Sequence, residues 1–153
     1  MTLSQVIHRM EVVASQQPSI NMIVENDVFR LNGKPDARYG VFAWTQGNHT
    51  TSLSSGLIRF NFTLFYIDRL TANQGNQVDV QSAGIDTIDN ILRILDEMGI
   101  SAGDYTFTTF NQRFMDECAG VFANVTFEVP GGSLCKETFA DFNDDFNEDF
   151  LIY

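Results

Sequence analysis

The chain has 153 residues, 44% of them hydrophobic and only 19% charged, with 14 Phe against one Trp and 4 Tyr. That length and composition suit one domain with a real core and exclude a disordered chain, collagen, a coiled coil and a disulfide scaffold. Nine Lys and Arg stand against 20 Asp and Glu, a net charge of -11, which makes the chain a poor candidate for gripping nucleic acid or an anionic membrane.

Residues 3 to 17 read as a helix, because Leu3, Val6, Ile7 and Met10 recur at helical spacing. Thr2 or Ser4 can cap its start, and Pro18 ends it. Residues 19 to 31 read as a strand with a kink near Glu25 to Asp27, followed by turn chemistry at Asn32-Gly33-Lys34-Pro35-Asp36. A second strand covers 38 to 46, and Gly47-Asn48-His49 is a loop or a bulge in a longer strand. The clearest strand is 57 to 67: Ile58, Phe60, Phe62, Leu64 and Tyr66 make one apolar face, and the other face is mixed.

After a loop (TANQGNQVDVQSAG), residues 83 to 98 read as a helix with an apolar stripe of Ile85, Ile88, Ile91, Leu92, Leu95 and Met98. Ser82 is its expected N-cap and Gly99 its stop. Strands are expected over 104 to 114 and 120 to 129, the second closed by Pro130-Gly131-Gly132. The predicted fold is α+β: a mostly antiparallel sheet, built from a three-strand meander and returning strands, with two helices on one face. Residues 1–136 form this body.

Residues 137–153 differ. They hold six carboxylates (Glu137, Asp141, Asp144, Asp145, Glu148, Asp149) and no Lys or Arg, so they carry -6 of the net charge. Phe139, Phe142, Phe146 and Phe150 would share one side of a helix, and Tyr153 ends the chain. Asp and Asn among them weaken helical propensity. The expectation is an arm that docks through aromatic anchors Phe139, Phe142, Phe146, Phe150 and Tyr153. Asp141, Asp144, Asp145, Glu148 and Asp149 would steer it by charge complementarity. Folding back on its own subunit is the competing expectation.

Catalytic templates find little support. His8 is expected on the exposed side of the first helix and His49 beside a turn, with no G-x-S-x-G elbow near either. Asp116 and Glu117 would raise, not lower, the Cys118 thiol pKa. Cys118 and Cys135 read as reduced thiols. No phosphate-binding glycine loop is present. The alternation Asp141, Asn143, Asp145, Asn147, Asp149 suggests a calcium loop. It puts Phe146 where glycine is needed and Ile152 where a bidentate Glu is needed. No enzyme, cofactor or metal is expected. No stretch has the apolar length of a membrane helix, and the opening MTLSQVIHRMEVVASQQ lacks the apolar core of a signal peptide. The N-x-T triplets at Asn48, Asn61 and Asn124 are read as chance.

The element order resembles the tail-terminator and tail-completion (neck ring) proteins of tailed bacteriophages. LSQVIHRMEVVASQQPSINMIVENDVFRLN resembles their opening helix and step into a first strand. GLIRFNFTLFYIDRL with DTIDNILRILDEMG resembles their long strand leading to a second helix, and FNQRFMDECAGVFANVTFEVP is similar to segments of Bacteroidetes phages, the crAss-like group included. The resemblance covers residues 1 to 130 and leaves the acidic arm aside. It implies a virion structural subunit that forms a closed ring, six- or twelve-fold, between portal or connector and tail. DNA would pass through the ring unbound, and the partners would be copies of the chain and other neck, tail and portal proteins. The alternative is a small cytosolic ligand-binding or enzymatic α+β domain with a pocket between sheet and helix. A third reading is an acidic mimic of DNA.

Overall fold

The computed structural model describes residues 1–26, 39–70, 75–113 and 117–131. Helix α1 (Leu3–Ser15) starts with a reciprocal cap: the Gln5 N–H donates to Thr2 Oγ1 at 3.2 Å and the Thr2 N–H to Gln5 Oε1 at 2.9 Å. Two orphaned backbone donors are satisfied at once. Val6, Met10, Val13 and Ala14 form the buried face. The helix ends two residues sooner than its periodicity predicts, because Gln17 turns inward. Its Nε2 donates to the Val13 carbonyl at 3.3 Å and its Oε1 accepts from Asn90 Nδ2 at 2.7 Å.

Strand β1 (Met22–Val24) is a fraction of the predicted 19 to 31. Asn26 takes a left-handed φ of 60° just beyond it, which breaks extended pairing. The end of that predicted strand and the turn at 32 to 36 lie outside the described residues. β2 (Val41–Gln46) pairs with β1 in parallel, so the first strands do not form a simple meander. Strands that run the same way need a crossover connection.

β2 runs antiparallel to β4 (Leu57–Arg69), and β3 (Thr50–Ser52) joins the same edge of β4 further along. Gln46 lies opposite Phe62 and Thr50 opposite Arg59. Residues 47, 48 and 49 therefore face only Asn61 and Phe60, which makes the bulged-strand reading of Gly47-Asn48-His49 the correct one. His49 occupies the gap. Its Nδ1 accepts the Asn61 N–H at 3.1 Å, where a backbone carbonyl would otherwise serve. Its ring packs edge-on to Phe60 and tilted on Phe62. His49 is thus a structural part of the bulge, whereas His8 is exposed as expected.

Helix α2 (Gln77–Glu97) begins six residues before the predicted start, and its N-cap is Asn76, not Ser82. Val80 is buried against the core, and that burial decides a stretch whose polar texture reads as loop. Ile88, Ile91, Leu92 and Leu95 are buried as predicted, while Met98 is exposed at the helix end. Gly99 ends the helix with a φ of 87°. β5 (Phe107–Arg113) and β6 (Glu117–Pro130) complete a six-stranded sheet of order β1-β2-β4-β6-β5, with β3 on β4. Every pairing except β1–β2 is antiparallel.

Both helices cover one face. Phe60, Phe62, Leu64 and Tyr66 of β4 join Val121, Ala123, Val125, Phe127 and Val129 of β6 in one core cluster with α1 and α2. The architecture is α+β, as predicted. Gly84 sets the distance between α2 and the sheet: a Cβ there would come within 2.8 Å of Val121 Cγ2 and 2.9 Å of Tyr66 Cδ1. Gly84→Ala should therefore destabilise by about 1–2 kcal/mol. Overpacking costs ~1–3 kcal/mol, and only part of it is returned by the better helix propensity of Ala. A urea midpoint equal to or above the parent's would show that α2 has room to move away.

Candidate functional site

The ten sequence-predicted partner residues (Phe139, Phe142, Phe146, Phe150, Tyr153, Asp141, Asp144, Asp145, Glu148 and Asp149) lie outside the described residues, as does Cys135. The described chain ends at Gly131, short of that segment. β6 ends at Pro130, and the Gly131 N–H donates to the Gly56 carbonyl at 2.8 Å. Gly56 belongs to the β3–β4 turn, whose Leu53 is 97% exposed. The described chain therefore ends beside an exposed hairpin tip.

The sheet face away from the helices is divided along its length. Near the hairpin it is polar. Arg59 Nε meets Glu128 Oε1 at 3.0 Å, Thr126 Oγ1 donates to Asn61 Oδ1 at 2.6 Å, and Thr63 Oγ1 donates to Asn124 Oδ1 at 2.7 Å. These pairs sit directly opposite one another across β4 and β6, which is the geometry that stabilises a sheet surface. Further along, the same face turns apolar. Val24, Val41, Ala43, Ile67 and Cys118 are buried in a second small cluster.

A row of phenylalanines marks the boundary. Phe65 of β4 faces Phe122 of β6 with ring centroids 5.8 Å apart, and Phe110 of β5 follows at 6.2 Å from Phe122. All three are half-buried. The row runs onto β5, the terminal strand of the sheet, which exposes Thr108, Thr109 and Asn111. At the far end Arg69 lies over the Tyr39 ring, 4.9 Å from its centroid. Sequence reading assigned Phe65 to the mixed face of its strand but could not see that β6 and β5 bring Phe122 and Phe110 beside it. That takes the register, which no period-2 pattern contains.

Two clefts flank α2. One, of about 530 Å³, is lined by Arg93, Asp96, Glu97, Asp104 and Tyr105 among others. Asp89 lies beside it, accepting from Tyr105 Oη and from Arg93 Nε, each at 2.7 Å. Those two hydrogen bonds hold the Asp89 carboxyl below its ordinary value. Burial, then the Asp89 hydrogen bond, pushes Tyr105 up to about 12. Tyr105 thus stays protonated and Asp89 ionised, so neither is poised for proton transfer near neutral pH. The trio ties the α2–β5 connection to α2. The Asp89–Arg93 spacing of four is the sequence signal that could have found it.

The other cleft, of about 430 Å³, lies between the end of α1 and α2. Four of its polar side chains pair with one another: Ser19 Oγ with Thr87 Oγ1 at 2.7 Å, and Gln17 with Asn90, while Asp86 and Asp89 also line it. No group of three His, Cys, Asp or Glu among the described residues could hold a metal ion. No helix among them is long and apolar enough to cross a membrane.

Among the described residues, one carboxyl is shifted toward neutral pH. Glu11 on α1 is pushed from 4.5 to about 7, first by burial, then by its hydrogen bond to Glu25 and the repulsion between them. A raised folded-state value means that folding takes up a proton between pH ~4.5 and ~7. Its stabilising contribution is complete below pH ~4.5 and is lost as the pH rises through ~7. Glu11→Gln should flatten the fall in thermal midpoint between about pH 5 and pH 8. Parent and variant curves of equal slope would refute the pairing.

No protein-family model matches the chain, and no curated protein matches it.

Proposed function

We propose that the chain is a structural subunit of a tailed-phage virion, forming an oligomeric ring in the neck or tail that joins portal or connector to tail. One observation carries this reading: the face opposite the helices bears the Phe65–Phe122–Phe110 row leading to the terminal strand β5, and β6 ends at Pro130, ahead of the Phe-rich segment 137–153 in the sequence. A ring needs two different, complementary surfaces on each copy, and arm and row are two such surfaces. The net charge of -11 suits a channel wall that DNA passes without sticking.

Negative-stain images and light scattering of the purified protein, alone and mixed with portal or tail proteins, test the proposal. Closed rings are expected. A monomer at every concentration and with every such partner would overturn it.

The alternative, a small cytosolic ligand-binding or enzymatic domain, draws on the cleft beside Asp89, Arg93 and Tyr105. It predicts a monomer whose thermal midpoint rises with a small cationic ligand.

A further inference from the structure

We propose that β5 pairs edge to edge and antiparallel with β5 of a second copy, about a two-fold axis at Phe110. Among the described residues β5 pairs with β6 alone and ends the sheet. The outer edge of such a strand is a row of backbone donors and acceptors, a template for another strand. Proteins blunt these edges with short strands, kinks, proline or charge. The other end of the sheet is blunted: β1 has 3 residues, Glu25 follows it, and Asn26 takes a φ of 60°. β5 has 7 residues, and the run YTFTTFNQ over 105 to 112 holds no proline, glycine or charge.

Register names the occupant as a copy of the same chain. The midpoint of Phe107–Arg113 is Phe110, so pairing β5 with itself along its whole length sets Phe110 opposite Phe110. Directly opposed side chains share a face, with Cβ atoms about 4.5–5.5 Å apart. Phe110 already stands beside Phe122 and Phe65, so the aromatic row continues through the axis into the second copy. On the other face the same register sets Thr109 opposite Asn111 on each side of the axis, and both residues are exposed. Thr with Asn is the pair this sheet already uses across β4 and β6, at Thr63–Asn124 and Asn61–Thr126. Charge agrees. Like charges directly opposite one another destabilise a sheet, and two copies that each carry -11 meet without that cost along an uncharged strand.

A two-fold contact differs in kind from the head-to-tail contacts of a ring and does not depend on them. With them it ties two rings back to back; without them it makes a dimer. It uses the edge of β5 and leaves the face of the phenylalanine row open.

The test is sedimentation of the full chain over a wide concentration range, with hydrogen exchange of the β5 amides read at the same concentrations. Paired copies are expected, with the β5 amides turned away from β6 gaining protection as pairs form. Thr109→Lys with Asn111→Lys sets lysine opposite lysine across the axis and should weaken pairing about tenfold or more. Thr109→Lys with Asn111→Asp sets opposite charges there and should keep pairing within severalfold of the parent. Both sites are exposed, so the Trp44 unfolding midpoint should hardly move in either variant. Two variants that pair alike would overturn the inference. So would outward β5 amides protected equally at every concentration, or protected only when a portal or tail protein is added. Rings that form while those amides exchange freely would overturn it and leave the ring reading intact. Pairs without rings would uphold it and count against the ring reading.

Discussion

Phe127→Ala should lower the unfolding free energy by about 3–5 kcal/mol. Phe127 is fully buried three residues from the end of β6, opposite Phe60, with its ring 5.7 Å from that of Phe62. Truncation removes apolar contact and leaves a cavity between two long strands that cannot collapse without losing their shared register. A domain of ordinary stability holds only about 5–15 kcal/mol in total, so much of the population should unfold near body temperature. Trp44 is the chain's sole tryptophan and is buried against Phe62, so its fluorescence reports unfolding in urea. A loss below about 1 kcal/mol would mean that the β6 face is not the centre of the core.

The second large effect is on assembly. Replacing Phe139, Phe142, Phe146 and Phe150 together by Ser in the full chain should abolish ring formation. The Trp44 unfolding midpoint should move by no more than a few degrees, since a loss of about 1 kcal/mol shifts a domain of this size only that far. Interface aromatics carry a disproportionate share of binding energy, so losing four should weaken assembly a hundredfold or more. Sedimentation and thermal melts read the two effects separately. A monomer that melts far lower would place these side chains in the subunit's own interior and defeat the arm reading.

Much of the body was legible in the sequence, for definite reasons. Alternation in Ile58 to Tyr66 reports which side of that strand is buried, and the face is found where the pattern put it. Capping chemistry at Thr2 and the stop at Gly99 are local, and both stand. The misreadings are tertiary. The first turns of α2 are polar in texture, and only the burial of Val80 and the close approach at Gly84 pull them into the helix. Parallel pairing of β1 with β2 depends on what the intervening chain does, which strand propensity does not encode.

The candidate surfaces divide in the same way. The arm was visible as composition, because carboxylates and phenylalanines without a cation are a one-dimensional signal. The phenylalanine row was not, since three residues far apart in sequence become neighbours only through the β4–β6 and β5–β6 registers.

The β4–β6 ladder has a mechanical consequence. The two strands stay in register from Leu57↔Pro130 to Arg69↔Cys118 without interruption. A pull directed along them loads all of those hydrogen bonds at once. The same pull across the short β1 edge would open it one bond at a time, like a zip. On the ring proposal, a particle holding packed DNA would gain from aligning each subunit's stiffest direction with the hoop stress, and here that direction is the axis of the two longest strands, β4 and β6.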